Sequence, residues 1–192
     1  MIGLLDRNRF YSTEEFLFYI YNNLGFTDLE VAYNYFRKDG SVGFSKWIRF
    51  DYLQSIDCDE KVEGTFDTKE QFLNKITHRR VLDIEVMLDI DSTPQNSEKV
   101  EDIKQYAKEI LFNLRNLGYS FIPYYSGSKS IHVSFLFPEL RNVSKRIRED
   151  FKKEFILKFS GDIAKSSNRN MIALEGVPHW KTGVNKEVFV YE

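Results

Sequence analysis

Val81-Leu82-Asp83-Ile84-Glu85-Val86-Met87-Leu88-Asp89-Ile90-Asp91 is the stretch whose reading decides the fold. Side chains alternate along a strand, so Leu82, Ile84, Val86, Leu88 and Ile90 share one face and Asp83, Glu85, Met87, Asp89 and Asp91 share the other. The run therefore predicts a strand with one face on a core and one open, polar face. Its last two acids, Asp89 and Asp91, point the same way and end beside a loop. Carboxylates in that position suit divalent ions, because unneutralised neighbours repel. The same spacing also suits two solvated acids on an exposed strand.

The pattern downstream extends the sheet. Ser97–Leu117 carries Val100, Ile103, Ala107, Ile110, Leu111, Leu114 and Leu117 on one stripe and is followed by Gly118, which predicts a helix. Tyr119–Tyr125 and Ser130–Phe137 read as strands around a Ser/Gly turn. Ser144–Phe159, with Ile147, Phe151 and Phe155 four apart, reads as a helix, and Met171–Glu175 as a strand. The order β-α-β-β-α-β predicts an α+β fold, a ferredoxin-like (RRM-like) core with helices on one sheet face and the other face free. Before it, Ser12–Gly25 and Thr27–Gly40 each open on a capping box and predict a helical hairpin. Trp47–Leu53 and Lys61–Phe66 read as short strands, Thr68–Thr77 as a helix, and Val188–Glu192 as a closing strand. Residues 1–80 are thus expected to be an extension packed on a core of residues 81–192.

Composition narrows the function classes. With 42% hydrophobic residues and four prolines in 192 residues, the chain can bury a core and is not disordered. No apolar run reaches membrane-spanning length, and a soluble, cytoplasmic protein is expected. The single cysteine, Cys58, excludes an intrachain disulfide and a multi-cysteine zinc site. Any metal would be held by carboxylates, favouring Mg²⁺ or Mn²⁺. Residues 1–96 hold 11 Lys+Arg against 17 Asp+Glu, and residues 97–192 hold 16 against 12. The basic segment Arg141–Lys158 is a candidate nucleic-acid track, although such runs are usually solvated helix faces.

The second informative string is Ser126-Gly127-Ser128-Lys129-Ser130-Ile131-His132. It offers backbone N–H groups, hydroxyls and an ammonium to phosphate oxygens, with His132 following on the polar strand face. Two further strings are plain by themselves. Asp162 follows a helix stop and reads as a turn acid. Leu174-Glu175-Gly176-Val177-Pro178-His179-Trp180-Lys181-Thr182-Gly183 reads as a strand end and a turn.

Taken together, these strings resemble the catalytic subunit of the archaeo-eukaryotic primase superfamily in a minimal form without its zinc module. The family pattern is Asp-x-Asp on a hydrophobic strand, Ser-Gly-x-(Arg/Lys)-Gly-x-His, a third Asp, and a His-x-Lys-Thr-Gly turn; order and spacing agree over residues 81–183. The resemblance implies a DNA primase or primase-polymerase core that transfers nucleotides from NTPs or dNTPs on a single-stranded DNA template. Asp89, Asp91 and Asp162 would bind two Mg²⁺ or Mn²⁺ ions. Ser126, Ser128, Lys129 and His132 would hold the triphosphate, His179 and Lys181 would close over it, and Arg49, in Trp47-Ile48-Arg49-Phe50, would add a contact. The pattern departs at Ser130, where the family has Gly, and at Ala173, where it has a base, with Arg169 the nearest one. Glu175 is a fallback carboxylate. The compact core suggests an archaeal, plasmid or viral replication context, with a large partner subunit or a further C-terminal region. The alternatives are an end-joining repair polymerase of the same superfamily and a non-catalytic nucleic-acid-binding module. The latter expects exposed aromatics on the central strands, where this chain offers acids, Ser and His.

Overall fold

The structure, a computed structural model, describes residues 5–167 and 170–191. It is α+β and divides into two compact units. One comprises Arg7–Arg80 with Met171–Leu174; the other comprises Met1–Asp6, Val81–Asn170 and Glu175–Glu192.

In the first unit, helix α1 (Thr13–Phe18) continues into a π-helical turn, Tyr19–Asn23. It starts where Ser12 Oγ accepts the Glu15 N–H and the Glu15 carboxylate accepts the Tyr11 N–H, and it buries Phe16, Leu17 and Ile20. The helix expected over Thr27–Gly40 is absent. The chain there forms strands β1 (Glu30–Ala32) and β2 (Asn34–Phe36), and β2 pairs with β3 (Val42–Phe44) in a hairpin. Val-Ala-Tyr-Asn-Tyr-Phe is rich in β-branched and aromatic residues, and Gly40, read as a helix stop, is the left-handed residue of the hairpin turn at φ +79°. The strand expected over Trp47–Leu53 shrinks to β4 (Ile48–Arg49) and gives way to helix α2 (Phe50–Ser55), which buries Phe50 and Leu53 at helical spacing. Lys61–Phe66 forms no strand beyond an isolated bridge from Lys61 to Thr68. Helix α3 (Lys69–Lys75) forms as expected, with Thr68 and Gln71 in a capping box. It leads to strand β5 (His78–Arg80), which local pattern had not indicated.

The second unit opens with β6 (Glu85–Ile90), followed by α4 (Val100–Asn116), β7 (Pro123–Tyr125), β8 (Ile131–Leu136), α5 (Lys145–Lys158) and a 3₁₀ turn, Ile163–Ser166. Strand β9 (Met171–Ala173) belongs to the first unit, and β10 (Glu187–Val188) completes the second. The second sheet runs β10-β7-β8-β6, with its paired strands antiparallel. Its β7-β8-β6 segment has the ferredoxin-like order. The fourth strand departs from that plan: β9 pairs with β5 in the sheet β4-β1-β5-β9. Beside β6 the chain instead places the start of the 3₁₀ turn, with the Asp162 N–H donating to the Asp89 carbonyl at 2.8 Å.

Helix α4 buries Ile103, Ala107, Ile110, Leu111 and Leu114 from the expected stripe, each Ile or Leu being worth roughly 1.5–3 kcal/mol. Gly118, at φ +85°, ends it. On α5 the expected stripe is displaced: Ile147 is exposed, while Lys152, Phe155 and Ile156 face inward. Phe155 joins Tyr119, Phe135, Phe137 and Phe159 in an aromatic cluster.

The face of β6 expected to lie open is covered. All six β6 residues are buried, including Glu85 and Asp89. Glu85 survives burial because its carboxylate accepts the Leu82 N–H at 2.9 Å and the Ser134 hydroxyl at 2.6 Å. Lys152 donates to the Leu82 carbonyl at 2.9 Å, and burial pushes its ammonium down to about 8. Between that value and the unfolded one, about 10.4, the unfolded chain binds more protons, so Lys152 makes stability rise with pH by roughly 3 kcal/mol. Urea unfolding of wild type and Lys152→Met from pH 7.5 to 10.5 is expected to show that rise in wild type alone; parallel curves would exclude it. No helix among the described residues is long and apolar enough to cross a membrane.

Candidate active site

Strand pairing brings the two sequence strings together. Asp89, near the end of β6, is the register partner of His132 on β8, and His132 in turn faces Tyr124 on β7. Asp89 is only 8% exposed. Its Oδ1 lies 3.4 Å from His132 Nε2, an ion-pair distance without hydrogen-bond geometry, and its Oδ2 lies 3.6 Å from Lys165 Nζ. Burial opposes ionisation of this carboxyl, but the adjoining His132 and Lys165 outweigh it and hold Asp89 well below the usual carboxylate range. His132 Nε2 also lies 3.2 Å from Ser130 Oγ.

The Ser126–Ser130 turn is organised from within. Ser126, itself buried, accepts at Oγ from the N–H groups of Ser128 and Ser130 and from the Ser130 hydroxyl, at 3.3, 3.1 and 3.2 Å. Its N–H donates to the Ser130 carbonyl at 2.9 Å. The Ser126 hydroxyl therefore shapes the loop, and the Tyr125 hydroxyl secures the Ser128 carbonyl. Lys129 pairs with Glu98 at 3.4 Å. Ser130 fits where the family pattern has Gly: among the described non-glycine residues only Asn96 and Ser160 have positive φ.

The segment from His179 to Val184 packs on this turn. The Thr182 hydroxyl donates to the Gly127 carbonyl at 2.5 Å, and a Cβ added at Gly127 would lie 2.3 Å from the Val184 carbonyl oxygen and 3.0 Å from His179 Cβ. Internal bonds stiffen the segment: the His179 N–H donates to the Val184 carbonyl and the Gly183 N–H to the His179 carbonyl, both at 2.8 Å. Its base is stapled by the buried ion pair of Glu175 and Lys186 at 2.9 Å. Burial, then the charges of Lys181 and His132, push the His179 imidazolium down, which favours its neutral form. Lys181 is exposed, with Nζ 5.0 Å from the centre of the Trp180 ring.

The structure thus gathers Asp89, Ser126, Ser128, His132 and His179 around the adjoining ends of β6 and β8, with Lys129 and Lys181 on the same two turns. Asp91 lies just beyond the end of β6 and is half-buried. Asp162 is beside β6 through its backbone, but its carboxylate caps the 3₁₀ turn by accepting the Ala164 N–H at 2.9 Å. Glu175 is committed to Lys186. Arg49 belongs to the other unit, where it pairs with Asp51. Arg169 lies outside the described residues. In the basic segment, Lys152 is buried and Arg148 pairs with Asp83 at 3.2 Å, so two of its seven bases are turned to structural use.

For Mg²⁺ or Mn²⁺ the donor chemistry of Asp89 and Asp91 is suitable, and Asp89 Oδ1 is a buried carboxylate oxygen that makes no hydrogen bond. The expected third ligand does not complete the set: among the described residues no three His, Cys, Asp or Glu side chains gather into a group able to hold a metal ion. Sequence reasoning overlooked Lys165, Thr182 and Lys186. Only Thr182 stood inside a recognised string; nothing local marks the other two.

No family model and no curated protein matches the sequence. Among solved structures, the chain is similar to the polymerase domain of Mycobacterium tuberculosis Ligase D in complex with DNA, with a TM-score of 0.52 and 12% identity over 94% of this chain and 82% of that one. At that identity the similarity is one of fold: this chain shares an α+β fold with that domain.

Proposed function

We propose that the chain is a metal-dependent nucleotidyl transferase of the primase-polymerase type, acting on a nucleoside triphosphate and a DNA template strand. The observation that carries this reading is the juxtaposition of the buried Asp89 with His132 and of the Gly127 turn with the His179–Val184 segment. It combines a carboxylate suited to divalent cations with a rigid, hydroxyl- and base-lined turn suited to phosphate oxygens. Asp89 and Asp91 would hold the ion, with Asp162 a candidate third ligand. When bound, the ion would supply charge neutralisation at the triphosphate and a lowered pKa for the attacking 3′ hydroxyl. His132, Ser128 and Lys129 would orient the phosphates, and His179 and Lys181 would close on them; neutral His179, whose Nδ1 accepts the Lys181 N–H, would offer Nε2–H as a donor.

Two readings within this class differ in what they require. A primase starts chains on single-stranded DNA without a 3′ end. An end-joining repair polymerase extends an existing terminus, and similarity to the Ligase D polymerase domain favours it. Incorporation of labelled NTPs and dNTPs with Mn²⁺ is expected on a primed template. Equal incorporation without a primer would select the primase reading. Incorporation on neither template would overturn the proposed function.

A further inference from the structure

Lys165 is placed on Asp89 by the backbone. The turn that carries it, Ile163–Ser166, is tied to β6 by the Asp162 N–H bonded to the Asp89 carbonyl. The Asp162 carboxylate holds the Ala164 N–H, and the Lys165 N–H donates to the Asp162 carbonyl at 3.0 Å. These bonds orient the turn so that a side chain only 24% exposed sets its ammonium 3.6 Å from Asp89 Oδ2. The ammonium therefore occupies the surroundings of a carboxylate oxygen that a divalent cation would also use, while the other oxygen of the same carboxylate makes no hydrogen bond.

We infer that Lys165 is a built-in counter-ion of the Asp89 site, which keeps the carboxylate in place without metal and must give way when a divalent ion binds. The inference rests on the metal site proposed above. A positive charge a few ångströms from a divalent ion opposes its binding directly, and a lysine on a short turn can swing aside at little cost in packing. Lys165 thus sets the metal affinity by competition, while the backbone bonds of the turn stay in place.

The test measures Mn²⁺ binding to the full chain from the electron paramagnetic resonance signal of the free ion, without nucleotide or DNA. Lys165→Met is expected to bind Mn²⁺ roughly tenfold more tightly than wild type. Lys165→Arg, which keeps the charge, should stay near wild type, and Asp89→Asn should bind several-fold more weakly. Lys165→Gln substitutes for the Met variant if that one melts early. Unchanged or weaker binding in the neutral Lys165 variants, with Asp89→Asn still impaired, would overturn the counter-ion role and leave the proposed site intact. Binding insensitive to Asp89→Asn would overturn the metal site itself, and the inference with it.

Discussion

Nucleotide incorporation is expected to fall by at least about 10³-fold when Asp89→Asn and Asp91→Ala are combined, because electrostatic stabilisation of developing charge is typically the largest contribution to such a reaction. Asn keeps the volume and the neighbours of a side chain that is 8% exposed, so the backbone of β6 need not move. The charge is lost at the atoms facing His132 and Lys165, which leaves the Lys165 ammonium without its carboxylate partner. Some stability is therefore lost as well, and the assay must be paired with a melting curve to show that the variant remains folded. Incorporation by a folded double variant at a tenth or more of the wild-type rate would remove both carboxylates from the proposed chemistry.

Gly127→Ala carries the second large effect, on the architecture of the phosphate-binding turn. Gly127 has φ +84°, a conformation that costs an L-residue about 1–2 kcal/mol. The added Cβ would also lie 2.3 Å from the Val184 carbonyl oxygen, a main-chain atom held by the His179 N–H. The His179–Val184 segment must therefore shift, and the Thr182 bond to the Gly127 carbonyl stretches or breaks. We expect a melting temperature lower by roughly 5 °C or more and nucleotide binding weakened about tenfold, as phosphate donors leave their positions. A variant that melts like wild type and binds nucleotide equally would show that the packing of the two turns is dispensable. The result separates shape from chemistry, because neither Gly127 nor Thr182 supplies charge.

The legible parts of the molecule are those with long or strictly alternating patterns. The stripe from Ile103 to Leu114 identified α4, and the alternation of Ile131, Val133 and Phe135 identified β8 and its inward face. The Asp89 and Ser126–His132 strings were found where they meet because an antiparallel pairing of β6 and β8 follows from their connection. Residues 27–55 were misread because their elements are two to six residues long, too short for a period to show. The Thr27–Glu30 capping signal was outweighed there by strand pairing of β1 with β4 and β5. β6 was read as open on one face because polar residues alternate along it, yet a buried Glu85 is tolerated once Leu82 and Ser134 satisfy its oxygens.

The amino-acid order by itself determined which residues alternate, where a glycine must turn the chain, and which hydroxyls and carboxylates fall close enough in sequence to act together. Those are properties of neighbouring dihedral angles and side-chain periods, and they hold before any long-range contact forms. Only the tertiary structure decided that β9 leaves the core sheet for β5, that Lys165 sits on Asp89, that Lys186 claims Glu175 and that Asp162 caps a turn. Strand partners and counter-ions are selected by proximity in the folded chain, where burial makes an unpaired charge or an open backbone group costly. No local pattern records which distant residue will meet that need.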